Sequence, residues 1–108
     1  MASSFKNAVA AGVGTVSTDV YAAPTLTATT IIGLSLANIS NVSITASVTL
    51  TKGATVVHLI KSAPIPVGGA LILFGGDQKL VLEAGNKFSV LSSAASSIDV
   101  VVSALEIS

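Results

Sequence analysis

The chain has 108 residues, the length of one domain, and its five lysines and five acidic residues give zero formal net charge. Charged residues make up 9% of the chain, against about 25% in ordinary soluble domains. The lack of a basic stripe argues against nucleic acid as a partner, and the absence of cysteine excludes disulfides and thiolate metal sites.

The scarcity of charge indicates a subunit that assembles. A neutral surface with few charges has little electrostatic protection against association. We therefore expect the chain to pack against copies of itself or against a partner; a secreted or poorly soluble domain is the alternative.

Neither a membrane span nor a cleaved leader is predicted. Residues 20–51 carry no formal charge, but polar residues, proline and glycine interrupt them, so no apolar run of 18 residues exists. Lys6 precedes a stretch rich in alanine, valine and glycine, and residues 20–22 resemble a cleavage site. Because this stretch is only weakly apolar, we expect no cleavage.

The first 24 residues are rich in small side chains, and Phe5 and Tyr21 are their only large ones. We expect residues 1–24 to form an extended N-terminal arm or edge strand, held by strand pairing or by a neighbouring subunit. Residues 25–108 are predicted to form the sandwich core, and the chain from 1 to 108 to be a single β domain.

Predicted strands begin clearly after residue 27. Residues 29–38 are apolar and β-branched, with a bulge or close packing expected at Gly33. Residues 41–50 alternate in strict order, which predicts a strand with one buried and one wetter face. The two sets are Val42, Ile44, Ala46, Val48 and Leu50, and Ser43, Thr45, Ser47 and Thr49.

The second half continues in short strands. A hairpin at Lys52-Gly53 leads to residues 55–61, and Pro64 and Pro66 are predicted to break the ladder. The remaining strands are predicted at 70–74, 79–82, 88–92 and 98–107, with turns at 75–77 and 83–86 and a loop at 93–97. This spacing predicts an all-β fold, a single antiparallel β-sandwich or jelly-roll-like domain.

No catalytic, cofactor-binding or metal-binding residue is predicted. His58 has no cysteine or second histidine to support it, and Asp99 and Glu106 fall on opposite faces of one strand. The glycine pairs at 68–69 and 75–76 lack the context of a phosphate-binding loop. The glycosylation sequons at Asn38 and Asn41 are attributed to chance in a serine-rich chain. We therefore expect a protein that is not an enzyme and needs no cofactor.

Four segments resemble small all-β virion proteins of tailed bacteriophages, of the capsid decoration (cement) or neck (collar) type. They are Ile-Gly-Leu-Ser-Leu-Ala-Asn at 32–38, Pro-Ile-Pro-Val-Gly at 64–68, Lys-Leu-Val-Leu-Glu-Ala-Gly-Asn at 79–86 and Ser-Ser-Ile-Asp-Val-Val-Val-Ser-Ala-Leu-Glu at 96–106. The resemblance spans roughly residues 31 to 107. Members of the group often have aspartate where this chain has Asn86, and either residue tolerates the turn.

The resemblance implies a structural subunit, present in many copies on the capsid or at the head–tail neck. Decoration is slightly favoured over a neck role, in a virion assembled in the host cytoplasm. The expected partners are the chain itself, with a trimer favoured, and other virion proteins such as the major capsid or neck proteins. Hydroxyl-rich strand faces and open sheet edges are expected to make the contacts, partly by strand addition. Neither nucleic acid nor a membrane is expected.

The alternative function is a carbohydrate- or receptor-binding β-sandwich module of a phage fibre or other surface appendage. Sugar sites usually stack an aromatic ring on the sugar. The aromatic residues are Phe5, Tyr21, Phe74 and Phe88, with no tryptophan, and this scarcity weighs against the alternative.

Overall fold

The computed structural model describes residues 3–74 and 80–107, and this part of the chain is organised as β-strands. The strands are β1 (Ser3–Val13), β2 (Thr18–Ala22), β3 (Ala28–Asn38), β4 (Ile44–Lys52), β5 (Thr55–Ile65), β6 (Ala70–Phe74), β7 (Leu80–Leu82), β8 (Lys87–Ser92) and β9 (Ile98–Ile107). The predicted turn at 75–77 and the predicted strand start at Lys79 lie outside the described residues. Within the described ranges, no helix is long and apolar enough to cross a membrane.

The strands form two antiparallel sheets with jelly-roll connectivity. Sheet A has the order β1-β9-β3-β6, with β7 also paired to β3, and sheet B has the order β2-β8-β4-β5. Along the chain, β1, β3, β6, β7 and β9 belong to sheet A, and β2, β4, β5 and β8 belong to sheet B. This alternation between facing sheets is the double Greek-key pattern of a jelly roll. The predicted all-β sandwich is confirmed.

The core lies between the sheets, and in β4 and β9 it is built by alternation. In β9 the even-numbered residues Ile98, Val100, Val102 and Ala104 are buried, and in β4 Ile44, Ala46 and Val48 are buried. Phe88 of β8 is the largest fully buried side chain. Because strand side chains alternate, the odd-numbered residues of β9 and β4 must face outward. Val42, which the sequence pattern assigned to the buried set, precedes β4 and is exposed.

The predicted break at Pro64 is wrong. β5 continues through Pro64, which pairs with Thr45, to Ile65. Since β5 is the edge of sheet B, it bonds on one side only, and a proline fits where the missing N–H would point to solvent. Pro66 lies directly after the strand.

The N-terminal segment supplies an edge strand to each sheet. β1 pairs with β9 at the edge of sheet A, and β2 pairs with β8 at the edge of sheet B. Val13 and Ala23 of this segment are part of the buried core. The segment is thus integrated into the sandwich and closes one side of it.

Candidate assembly surface

The outer face of sheet A carries five large, exposed apolar side chains. They are Phe5 (78% exposed), Val9 (70%), Ile72 (64%), Val81 (63%) and Val101 (49%). They come from β1, β6, β7 and β9, and the strand register places all of them on the face that points away from the core. Large apolar side chains gathered on one exposed face are typical of an interaction surface. We call this surface the apolar face.

The register orders the apolar face into four rows that run across the strands, beside a fifth outward row of Ser3, Ile107 and Ala28. Row 1 is Phe5, Leu105, Thr30 and Val81; row 2 is Asn7, Ser103 and Gly33; row 3 is Val9, Val101, Ser35 and Ile72; and row 4 is Asp99, Ala37 and Ala70. The five most exposed large side chains are therefore in rows 1 and 3, and Ile32 is the extra residue of a β3 bulge beside Gly33 in row 2. Successive rows are about 6.8 Å apart, because two strand residues separate them.

Asp99 is the only charged side chain in these four rows, and it has a local structural role. Its Oδ1 accepts a hydrogen bond of 2.9 Å from the backbone N–H of Gly12. Gly12 lies at a bulge in β1 and has a φ of +63°, which glycine adopts without strain. The carboxylate therefore closes this bulge at one end of the apolar face, and the other three rows carry no charge.

The outer face of sheet B is mainly polar, with Val56 and Leu91 as apolar exceptions. Along β4 it presents Thr45, Ser47, Thr49 and Thr51, and neighbouring strands add hydroxyl and charged groups. Asp19 accepts hydrogen bonds from Ser89 Oγ at 2.6 Å and from Lys87 Nζ at 3.0 Å. The hydrogen bond from Ser89, followed by that from Lys87, holds the pKa of Asp19 below its usual value.

A shallow recess of about 200 Å³ on sheet B is lined by hydroxyl groups. Its lining residues are Thr45, Ser47, Ser62, Leu91, Ser92 and Ser93. Ser93 Oγ accepts the backbone N–H of Thr45 at 2.9 Å, and Ser47 Oγ accepts that of Ser62 at 2.9 Å. These hydroxyls satisfy backbone donors at strand irregularities, so the recess has a structural explanation.

Each sheet edge carries a feature that discourages strand addition. β5 contains Lys61 and Pro64 and a register shift, and β2 has only five residues and also a register shift. β1 has its bulge, and Lys6 lies opposite the buried Ala104, on the core-facing side of the strand. β6 and β7 are short, with five and three residues. Charges, prolines, bulges and short strands are the devices by which natural proteins protect sheet edges.

The residues weighed for catalysis are not brought together. His58 is exposed on the outer face of sheet B, opposite Thr49. Asp99 is on the outer side of sheet A, whereas Glu106 pairs with the buried Thr29 and so lies on the opposite face of β9. In the described ranges, no three acidic or histidine side chains lie close enough together to hold a metal ion.

Two side chains have structural roles that the sequence analysis missed. Tyr21 packs against Phe88, with ring centroids 6.2 Å apart, and its hydroxyl hydrogen-bonds to Thr29 and Glu106, which ties sheet B to sheet A. Asn38, considered above only as a sequon, is buried and hydrogen-bonded to the chain at three separate places. Periodicity finds apolar residues that face the core, but it gives no signal for polar side chains that bridge distant segments.

Comparison with models of known protein families, with curated proteins and with solved structures finds no match to this chain.

Proposed function

We propose that this chain is a non-enzymatic structural subunit of a tailed-phage virion, present in many copies, that decorates or stabilises the capsid or the head–tail neck. The observation that carries the assembly role is the apolar face, with its five large exposed side chains. The assignment to a virion rests on the resemblance of residues 31–107 to small phage structural proteins.

The apolar face supports assembly because exposing large apolar side chains to water is unfavourable in free energy. Each apolar side chain covered by a partner contributes roughly 25 cal/mol per Å² of surface removed from water. Burying such a face needs no charged partner, since rows 1 to 3 are uncharged. A virion repeats a weak contact over many symmetric copies, so a modest energy per subunit suffices.

The contrast between faces and edges favours face packing over strand addition. Sheet edges with bulges, prolines and charges are poor templates for another strand. Rows 1 to 3 of the apolar face contain no charge and no proline. The hydroxyl-rich face of sheet B remains available for polar contacts with the major capsid protein or a neck protein.

A glycan-binding role has less support. Phe88 is fully buried, and the hydroxyl of Tyr21 is engaged by Thr29 and Glu106. Phe5 is exposed, but its neighbours in row 1 are aliphatic or hydroxyl side chains, and the Phe74 side chain lies outside the description. The described aromatic residues therefore do not form the stacking platform that sugar sites usually provide.

The test is to quantify the chain in purified particles. Virions of a phage whose genome encodes this chain are banded on a density gradient, and the chain is measured against the major capsid protein by mass spectrometry. We expect a fixed ratio across the band: a high ratio for a decoration protein and a low one for a neck protein. A non-structural protein of the same phage serves as the contamination control. Absence of the chain from the band, or a level equal to that control, would overturn the proposal.

A further inference from the structure

We infer that residues 3–10 form a releasable arm, the β1 arm, which can leave its own β9 and pair with β9 of a neighbouring copy of this chain. The inference deepens the proposed function, on which the place of this contact in a particle rests, whereas the exchange itself can be tested in solution. It depends on how the β1 arm is attached, on the hinge that follows it and on the strand edge that its release uncovers.

The β1 arm is attached to the sandwich mainly by its backbone. None of its eight side chains is buried, and residues 3–7 are exposed on both faces of the strand. Ala8 and Ala10 are half-buried, and as alanines they have little apolar surface to lose. Release of the β1 arm therefore breaks backbone hydrogen bonds but exposes little of the core. Segments with few buried contacts open locally at a lower free energy than the whole fold.

A glycine hinge separates the β1 arm from the anchored end of the strand. The register shifts between Ala10 and Val13, and Gly12 within this bulge has a φ of +63°. Val13 is buried in the core, and its carbonyl accepts the Ser97 N–H at 3.0 Å. Because glycine adopts a wide range of φ, the β1 arm can turn at Gly12 while Val13 stays in place. The hydrogen bond from the Gly12 N–H to Asp99 Oδ1, 2.9 Å long, holds this hinge closed.

Release of the β1 arm uncovers an edge of β9 that has none of the protection found at the outer sheet edges. Residues 100–105 contain no charged residue and no proline, and they pair with the β1 arm without a register shift. Such an edge is a template for another strand. The structure shows which strand fits it, because residues 3–10 pair one to one with residues 100–107. A neighbouring copy carries the same residues and re-forms the same register.

Concentration decides whether β9 pairs with its own β1 arm or with that of a neighbour. Copies that exchange arms contain the same residue pairs as closed copies, so the two ladders have equal free energies. A tethered arm competes at an effective concentration of about 1 mM, as short flexible links provide. Copies fixed side by side in a particle meet one another's arms at a comparable concentration. We therefore expect closed monomers in dilute solution and exchanged arms where copies are crowded together.

The test places single cysteines on separate full-length chains, since the chain has none of its own. Asn7 pairs with Ser103 in the β1–β9 ladder. The Cα atoms of antiparallel partners are about 4.5–5.5 Å apart, which a disulfide can span. Chains with Asn7→Cys and chains with Ser103→Cys are mixed, unfolded in urea, refolded together and oxidised. The matched control replaces the second chain by one with Thr55→Cys, at an exposed position of β5 in sheet B.

The 7–103 disulfide between chains measures the exchange. At about 1 mM protein we expect it to exceed the 7–55 control disulfide more than about tenfold, and at about 1 µM to fall to the control level. The linked peptides are quantified by mass spectrometry. One chain with both Asn7→Cys and Ser103→Cys should form the disulfide within itself at about 1 µM. A 7–103 disulfide between chains that stays at the control level at about 1 mM, or a double variant that does not close, overturns the inference.

Amide hydrogen exchange of the unaltered chain tests the release of the β1 arm. We expect the arm amides that bond to β9 to exchange faster than the amides of the interior strands β3 and β4. Asp99→Ala removes the acceptor of the Gly12 N–H and should speed exchange in the β1 arm more than about tenfold. Asp99→Asn keeps an acceptor and should fall between the two. Arm amides that exchange as slowly as those of β3, with no change in Asp99→Ala, overturn the inference.

The outcomes separate this inference from the proposed function. Disulfides between chains at 7 and 103, from a chain that is absent from banded virions, support the exchange and overturn the function. A chain that is present in virions at a fixed ratio, but whose β1 arm pairs only with its own β9, supports the function and overturns the inference.

Discussion

Replacing Asn38 by alanine should destabilise the fold more than any other single polar substitution in the turn after β3. Asn38 Nδ2 lies within hydrogen-bonding distance of three carbonyl oxygens, those of Val42 at 2.8 Å, Ile65 at 3.1 Å and Pro66 at 3.2 Å. Its Oδ1 accepts from the Ser40 N–H at 2.8 Å and the Ser40 hydroxyl at 2.7 Å. One side chain therefore connects the end of β3, the following turn and the end of β5.

The loss of stability expected for Asn38→Ala follows from these hydrogen bonds. The amide has two hydrogens for three carbonyls, so two of the carbonyls share one hydrogen, and with the two bonds that Oδ1 accepts the side chain makes about four hydrogen bonds. At about 0.5–1.5 kcal/mol net for each bond, and less for those to the partly exposed Ser40, the loss is about 2–4 kcal/mol. A domain of this size is stable by about 5–15 kcal/mol in total, and the corresponding fall in melting temperature is about 10 °C or more.

The assay is urea unfolding followed by far-ultraviolet circular dichroism, at one protein concentration for all variants. The control is Asn41→Ala, because Asn41 lies exposed in the same turn, and its cost should stay within about 0.5 kcal/mol. The slope of free energy against urea should not change, since the surface exposed on unfolding is the same. A loss at Asn38 below about 1 kcal/mol, or equal to that at Asn41, would refute the assigned role.

Three further predictions concern the core and the titrating groups. Phe88→Ala should lower the free energy of unfolding, measured in urea, by about 3–5 kcal/mol. Phe5→Ala, measured in dilute solution where the chain is monomeric, should change it by less than about 0.5 kcal/mol. Equal losses for the two variants would contradict the placement of Phe88 in the core and of Phe5 at the surface. Burial, followed by the hydrogen bond to Glu106, raises the pKa of Tyr21 above 10.0, so the stability that this tyrosine contributes is complete below pH 10 and is lost as pH rises through its folded pKa. Ultraviolet titration of this single tyrosine should give a midpoint above 10.0 in the folded protein and a lower midpoint in Glu106→Gln. A folded midpoint no higher than that of the urea-unfolded chain would contradict this prediction. The pKa of Asp19 is lowered from 3.8, so the stability that this carboxylate contributes is present above pH 3.8 and is lost as pH falls through its folded pKa. Because the ion pair with Lys87 is exposed, Asp19→Asn should lower the free energy of unfolding by less than about 1 kcal/mol at neutral pH and not at all at low pH. A larger loss at low pH than at neutral pH would contradict this assignment.

Much of the fold could be predicted because its strands obey a period of two. The alternation from Ile44 to Leu50 and from Ile98 to Ala104 places apolar residues toward the core, as the burial of these strands confirms. The hairpin at Lys52-Gly53 is also confirmed, since Gly53 has a φ of +61° between β4 and β5. Strand order was not predictable, because β1 pairs with β9 some 90 residues away and no local pattern encodes that partner.

The apolar face could not be predicted because it depends on that long-range pairing. Phe5, Ile72 and Val101 belong to three strands that are far apart in the sequence. They share a surface only after β1, β9, β3 and β6 are placed side by side in register. The sequence pattern instead drew attention to the hydroxyl groups of β4, which lie on the opposite sheet.

The ion pairs of the described residues, and Lys61, lie away from rows 1 to 3 of the apolar face. The ion pairs Lys52–Glu83 and Lys87–Asp19 are both exposed, and Lys61 lies on the edge strand β5. These groups lie in turns, at sheet edges or on sheet B, and Lys61 opposes strand addition at the edge strand β5. Rows 1 to 3 of the apolar face have no such protection. Protected sheet edges together with an uncharged exposed face are the arrangement that the proposed assembly role requires.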